Sequence, residues 1–329
     1  MVARKEVLQT DPRATITDTD FVSLFERLGA TRLAKKIGQT ESRVYQRRRR
    51  LERIIKREIC TPTIGKNATR RGIAHPHRLH WDILNGHVII GSDGHYWDGP
   101  PSCAHRGFVY FAKELQPKAL ILNGDAMDGA RISRHPPINW EDRPEVEEEI
   151  EAIKIRLGEV EEVVPRNCKL SWNLGNHDSR FETRLATQAP EYARIHGFHL
   201  KDHFGRRWEP AWSTWINNEV VVKHRLSGGR HATTNNVLRS GLTTITGHLH
   251  SLQVRPFSDY SPRPKWGCDS GMLANPYGPQ FVHYTEDNPV DWRAGFLVLT
   301  FHNGVLLWPE VVAVFDDDHV EFRGRLIKV

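Results

Sequence analysis

Five times along this chain a short apolar run ends in a loop of Asp, His and Asn, and the order of those loops constrains the fold more than any other feature. Asp93-Gly94-His95 follows VIIGS, and Gly124-Asp125-Ala126-Met127-Asp128 follows ALILN. Gly175-Asn176-His177-Asp178 follows KLSWNL, His224 follows VVVK, and Gly247-His248-Leu249-His250 follows TTIT, a weaker run of the same kind. Such runs read as strands. Between them lie helical stretches. From Pro144 to Val164 the apolar residues Val146, Ile150, Ile153, Leu157 and Val160 recur at helical spacing, with glutamates on what reads as the solvated face. Strands alternating with helices predict an α/β body. The segment AGFLVLTFHNGVLLWPEVVAVF reads as strands joined by a turn at Asn303-Gly304. In an open α/β sheet, loops at the carboxyl ends of strands converge on one crevice. The five loops can therefore meet although 157 positions separate Asp93 from His250.

Carboxylate, imidazole and amide oxygen together suit divalent transition metals such as Mn, Fe, Zn or Ni. The donors are too many for one ion. A carboxylate has two oxygens and can bridge two ions, which can clamp a phosphoryl group and lower the pKa of a shared water. A His outside the ligand set can protonate the leaving oxygen.

The ordered series DxH, GDxxD, GNHD, H, GHxH resembles the calcineurin-like metallophosphoesterase superfamily over about residues 85–260. The resemblance implies a two-sheet α/β sandwich flanked by helices, with two divalent ions, Mn2+ foremost. It implies that Asp93, His95 and His250 are ligands of one ion and that Asp125 is the bridge. Asn176, His224 and His248 would be ligands of the other. His177 would be the general acid and Asp128 the carboxylate that orients it. There are departures. The superfamily usually has Gly after the His of the fourth motif, whereas this chain has Arg225, and His231 is an alternative ligand. Its phosphoprotein phosphatases show GDxxDRG and GNHE, whereas this chain has Asp128-Gly129-Ala130-Arg131 and Asn176-His177-Asp178. A protein Ser/Thr phosphatase is disfavoured and the substrate stays open. Arg131 and Arg180 read as solvated arginines, with phosphate grips as the alternative. HPHRLH, with His75, His77 and His80, reads as a basic loop rather than a second metal cluster, and Gly228-Gly229 as a plain turn.

Charge divides the chain. Residues 1–80 hold 19 Lys and Arg against 8 Asp and Glu, a net of +11. The whole chain has 46 and 40, which leaves 27 against 32 for residues 81–329, a net of −5. A basic head on an acidic body suits a polyanionic partner. In RLAKKIGQTESRVYQRRRRLE the head resembles a helix-turn-helix. Ala34 sits where two helices cross, Gly38 at the turn and Val44 on the inner side of the second helix, with Thr40 as its cap and Leu51, Ile54 and Ile55 also inward. A position usually apolar is Arg47. Arg43, Gln46, Arg47, Arg48, Arg49 and Arg50 are the candidate DNA contacts. We expect a small all-α helix-turn-helix domain at residues 1–62, a linker at 63–82 whose first part is rich in turn formers, and the metallophosphoesterase domain at 83–329.

Cys60, Cys103, Cys168 and Cys268 are scattered, with no CxxC pair. That argues against a disulfide framework and for a reducing cytoplasm. No run approaches a membrane span, and the first residues hold no apolar signal segment. An arginine-rich head on such a body would suit a phage or mobile-element protein. The leading expectation is a metal-dependent phosphodiesterase, a nuclease tethered to DNA by its head. The alternatives are a phosphoesterase acting on small nucleotides or phosphoproteins, with the head contacting protein, and a non-catalytic DNA-binding protein.

Overall fold

A computed structural model describes residues 16–55, 59, 75 and 77–329. Cys60 and the turn-rich stretch 61–72, which includes the first part of the expected linker, lie outside the described residues. The chain divides into two units, 1–74 and 75–329.

The body is built on two sheets. The nine-stranded sheet runs β15 (Arg325–Lys328), β14 (His319–Phe322), β13 (Glu310–Val314), β11 (Gly295–His302), β2 (Gly86–Gly91), β3 (Ala119–Leu122), β4 (Lys169–Asn173), β5 (Trp208–Ala211), with β12 (Val305–Leu306) paired on β11. The six-stranded sheet runs β1 (Arg78–Trp81), β6 (Ser213–Ile216), β7 (Val220–Val222), β8 (Thr243–Thr246), β10 (Lys265–Asp269), β9 (Gln253–Phe257). Strands β2 to β5 are mutually parallel, and so are β7, β8 and β10. The five strands that precede the polar motifs thus split three and two between the sheets.

The apolar runs follow from burial on both faces. Val88, Ile90 and Ile121 join Ile216, Val222 and Ile245 in the core between the sheets. Their neighbours Ile89, Leu120 and Leu122 point the other way, into a second core with Phe108 and Phe111 of helix Cys103–Leu115 and Ile153, Leu157 and Val160 of helix Val146–Val163. The Asn303-Gly304 turn joins β11 to β12 with φ of 50° and 76°. Both residues are types that tolerate positive φ, as this kind of hairpin requires.

Two sequence readings need correction here. Glu149 does not belong to the solvated face of helix Val146–Val163. It is fully buried, because it lies three residues after Val146 and four before Ile153 and so falls on the inward stripe. HPHRLH is not simply a loop. Its last residues begin β1, which pairs in parallel with β6 from Arg78↔Ser213 to Trp81↔Ile216, within the stretch assigned to the linker.

The head contains helix Asp18–Ile37, broken at Gly29 (φ 74°, ψ 171°), and helix Glu41–Ile55. Gly38 closes the first helix in the left-handed conformation, with its N–H donating to the Ala34 carbonyl. Phe21, Phe25, Leu33, Ala34, Val44 and Leu51 form the core, whereas Ile54 is exposed. Arg47 is buried with them. Its guanidinium pairs with Asp18 at 2.6 Å, donates to the Ile16 carbonyl and lies over the Phe21 ring. Arg47 is therefore not a nucleic-acid contact; the charge at the usually apolar position is neutralised internally. Arg50 also reaches Asp18, and Arg48 pairs with Glu52 over the Phe25 ring. Arg43, Gln46 and Arg49 are exposed, three residues apart along one helix. Among the described residues no helix is long and apolar enough to cross a membrane.

Candidate metal centre

The five polar loops lie together at the strand ends. Backbone hydrogen bonds join the first two: Asp93 N–H donates to the Gly124 carbonyl, His95 to Asp125 and Tyr96 to Ala126. The His224 carbonyl accepts from Gly247, and His248 N–H donates to Asp93 Oδ2 at 2.9 Å. Five of the seven expected ligands have left-handed backbones: Asp93 (φ 54°), His95 (39°), Asp125 (52°), His248 (72°) and His250 (56°). For residues with a Cβ this costs on the order of 1–3 kcal/mol each, and such strain collects at functional sites. Glycine is required where the loops touch. A Cβ on Gly124 would strike the His224 ring, and one on Gly175 would strike the Asp125 carboxylate.

The ligand atoms of Asp93, His95 and His250 all lie within 4.8 Å of one another, and so do those of Asp125, His224 and His248. Asp93 Oδ1 is 3.0 Å from His250 Nε2 and 3.9 Å from His95 Nε2. Asp125 Oδ2 is 3.0 Å from His224 Nε2, while its Oδ1 accepts the His177 N–H at 2.8 Å. His224 donates from Nδ1 to the Asn123 carbonyl at 2.8 Å, which leaves Nε2 free to coordinate. The alternative, His231, is exposed at the start of helix Ala232–Ser240.

The residues present fit cations. His95 Nε2, His224 Nε2, His250 Nδ1 and Asn176 Oδ1 are buried with no hydrogen-bond partner. Buried polar atoms of this kind call for an explanation, such as an ion. The electrostatics agree. Burial alone would lower the His95 imidazole, but hydrogen bonds to Asp128 and Asp93 and the charges of Asp128 and Asp125 raise it to about 10. At His224 burial is likewise overcome by the charges of Asp125 and Asp93, and the ring rises to about 10. At His248 burial and the neighbouring His224 charge outweigh the pull of Asp93 and Asp125, and the ring is taken down to about 4. Asp93, Asp125 and Asp128 are all held below the usual carboxylate range despite burial, chiefly by the imidazoles around them.

His177 belongs to neither of these two groups but forms a third close cluster with His95 and Asp128. Its Nδ1 faces the Asp128 carbonyl at 2.8 Å and Asp128 Oδ1 at 3.0 Å. Its Nε2 is 4.0 Å from Asp125 Oδ2 and accepts from Arg180 at 3.2 Å. Asp128 Oδ1 also meets His95 Nδ1 at 3.1 Å. One carboxylate thus steadies both an expected ligand and the expected acid. Arg180 is anchored on the Asp128 carbonyl rather than solvated, and Arg131 pairs with Glu145.

Three supporting residues were not singled out from the sequence. Asp178 is fully buried and accepts from the backbone N–H groups of Asp125, Met127 and Gly175 and from the Trp172 indole, so it pins the second loop to the third. Glu149 accepts from the N–H groups of Asp128 and Gly129. Asp269 accepts from those of Ser251 and Gly271. Two of the three carry a sequence signal: Asp178 ends the third polar motif, and Glu149 stands on the apolar stripe of its helix. An aromatic wall closes one side: His250 packs on Trp292 at 4.7 Å and His95 on Phe281 at 5.2 Å, ring to ring.

No protein-family model matches the chain, and no curated protein matches it. Solved structures similar to it include wild-type Vps29 complexed with Zn2+ from Entamoeba histolytica, at 11% identity and a TM-score of 0.40, covering 74% of this chain and 98% of that one. TT1561 of Thermus thermophilus is similar at 11% identity and a TM-score of 0.33, covering 68% and 98%. A dimetal phosphatase from Danio rerio is similar at 11% identity and a TM-score of 0.35, covering 70% and 96%. These scores are too low to carry an argument about this chain; its own geometry has to do so.

Proposed function

We propose that the body is a phosphoesterase that uses two divalent metal ions, a phosphodiesterase of the calcineurin-like kind. The observation that carries this reading is a pair of ligand triads with Asp125 in one of them, its side chain turned to His224 and its Oδ1 to the third loop. Asp93, His95 and His250 would hold one ion, and Asn176, His224 and His248 the other, with Asp125 shared. Bound there, two ions supply a clamp on the phosphoryl oxygens and an acidified water. Manganese is our first expectation, since the mixed O and N donor set suits first-row transition metals.

The chain's own residues provide the rest. His177 delivers a proton from Nε2 to the leaving oxygen, and Asp128 steadies the ring through Nδ1. For that step Arg180 has to release Nε2, and its guanidinium is then free to meet a phosphate oxygen. A site serving structure alone has no use for such an acid pair. The test is hydrolysis of bis(p-nitrophenyl) phosphate by the full chain with Mn2+, beside the metal content of the protein. Two ions per chain and turnover are expected; one ion, or two without turnover, would refute the reading.

We further propose that the natural substrate is DNA and that the head tethers the enzyme to it, with Arg43, Gln46 and Arg49 as the reading face. What supports this is the net +11 of residues 1–80 and the exposure of those three side chains on one helix. Tethering raises the local concentration of substrate at the body. Duplex DNA binding by the full chain should weaken in Arg43→Ser/Arg49→Ser and lose salt dependence with it. Unchanged binding would remove the tether and leave the phosphoesterase standing.

A further inference from the structure

Two clefts, of about 400 and 420 Å³, meet at Asn176, Ser179 and Arg225. Asn176, from the candidate metal centre, lines both clefts and His224 lines the second, so both open on it. Six cations line the pair: Arg134, Arg180 and Arg184 in the first, Arg78 and Lys223 in the second, and Arg225 in both. No Asp or Glu lines either cleft. Among the described residues none of Arg78, Arg134, Arg184, Lys223 and Arg225 forms an ion pair with a carboxylate. This is not a reflection of composition, because residues 81–329 carry a net −5.

The second cleft also offers a ring. Trp212 lines it and is 45% exposed. A basic groove that tracks a backbone, with an aromatic side chain on which a base can stack, is the general solution for binding single-stranded nucleic acid. A small phosphate ester would fill one cleft. Two clefts diverging from one centre suit a substrate that continues on both sides of the reacting phosphate.

We propose that these clefts form a binding groove for a single nucleic-acid strand, with its reacting phosphate at Asn176 and its flanking phosphates on Arg184 and Arg225. The inference rests on the phosphoesterase reading for the identity of the reacting phosphate, but the flanking contacts on Arg184 and Arg225 lie outside the ligand set. It gives a use to Arg225, which stands directly after His224 where the resembled superfamily has glycine. The groove is lined by residues of the body alone.

Hydrogen exchange read by mass spectrometry locates the strand on the full chain. With Mn2+ and a phosphorothioate oligothymidine long enough to span both clefts, we expect protection in residues 176–188 and 212–226. In Arg184→Ser/Arg225→Ser the strand concentration needed for that protection should rise about tenfold or more, and its salt slope should fall by roughly 1.4, the share of two phosphate contacts on a single strand. Arg131→Ser, which removes an arginine outside the clefts, should leave it unchanged. Absence of protection in both segments, or equal protection in the double variant, overturns the groove. Hydrolysis of bis(p-nitrophenyl) phosphate by the same sample separates the two readings. Protection without hydrolysis keeps the groove and removes the phosphoesterase; hydrolysis without protection does the reverse.

Discussion

In the head, Asp18 is buried against Arg47 at 2.6 Å, a negative charge matched by a positive one. In the body, Asp93, Asp125 and Asp128 are buried together, and among the described residues no Lys or Arg side chain pairs with their carboxylates. Imidazoles take the place of the missing cations, and His95 and His224 are driven up to about 10 as a result. Isolated buried charge is expensive and is normally paired or placed on a metal. The head shows the first solution, and the body has side chains arranged for the second. A matched pair holds a fold together, whereas a surplus of one sign reserves a place for something the chain does not itself contain.

The strongest way to break this comparison is to remove part of the surplus. Asp125→Asn should lose bound metal and reduce diester hydrolysis by about a thousandfold or more, since two-metal assistance supplies several kcal/mol. Elemental analysis and steady-state kinetics read the two effects. The thermal midpoint of the metal-free variant should fall near neutral pH, because the fold holds the Asp125 carboxyl ionised, despite its burial, through the charges of His224 and His177. A variant that kept both ions would mean that Asp125 is not shared. His177→Ala sharpens the same point from the other side. It should retain both ions while kcat drops by about 10²–10⁴, the usual share of a general acid. Loss of metal in that variant would move His177 into the ligand set.

The matched pair should respond in the opposite way. Asp18→Ala leaves Arg47 buried without its carboxylate partner, and breaking such a pair costs about 3–5 kcal/mol. Head helicity, followed by circular dichroism, should melt early, while turnover of the small diester by the body is retained. Retained head stability would show that the pair is not what holds residues 16–55 together.

The sequence made one half of this contrast easy to read and the other hard. The candidate ligands are legible locally: Asp93, Asp125, Asn176, His224, His248 and His250 each stand after an apolar run, so their order carries the signal without any knowledge of packing. Arg47 was visible as an anomaly, but its partner Asp18 lies 29 residues away, and nothing in the spacing links them. Glu149 was misread because a row of glutamates on one helix suggests solvent. Its distance from Val146 and Ile153 placed it on the other side. Strand β1 has four residues and little alternation, and its pairing with β6 is decided 135 positions later in the chain. The basic clefts depend on side chains from several segments and have no sequence signature of their own.

Acidity tests the surplus as a whole. His95 and His224 have folded pKa values near 10 against an ordinary 6.5. Their contribution to the metal-free protein is therefore complete below pH 6.5 and lost as pH rises through 10. The three carboxylates act in the other window, contributing above their ordinary 3.8 and losing that contribution in acid. Metal-free stability should thus be greatest between these limits and decline towards alkaline pH. Metal binding requires neutral imidazoles and releases their protons, so the rise in thermal midpoint on adding Mn2+ should grow over the range in which the metal-free protein weakens. A stabilisation independent of pH would mean that these imidazoles do not surrender protons to the ion.

Glu149 gives the mildest test, because it borders the surplus without belonging to it. Burial raises its carboxyl from 4.5 to about 7, with the Asp128 charge adding to the effect against the pull of the Gly129 and Asp128 N–H groups. A raised carboxyl destabilises progressively as pH climbs from 4.5 through 7. Glu149→Gln keeps an oxygen for the two backbone donors and removes the charge. The substitution should change stability by less than about 1 kcal/mol at about pH 6, and above about pH 7 the variant should be the more stable of the two, with both ions and turnover retained. Glu149→Ala strands the two N–H groups instead and should cost about 1–3 kcal/mol for each buried donor left unpaired. Thermal melts at two pH values distinguish the cases. Loss of metal in Glu149→Gln would place Glu149 inside the charged set on which the ions depend, and the surplus would then extend to a fourth carboxylate.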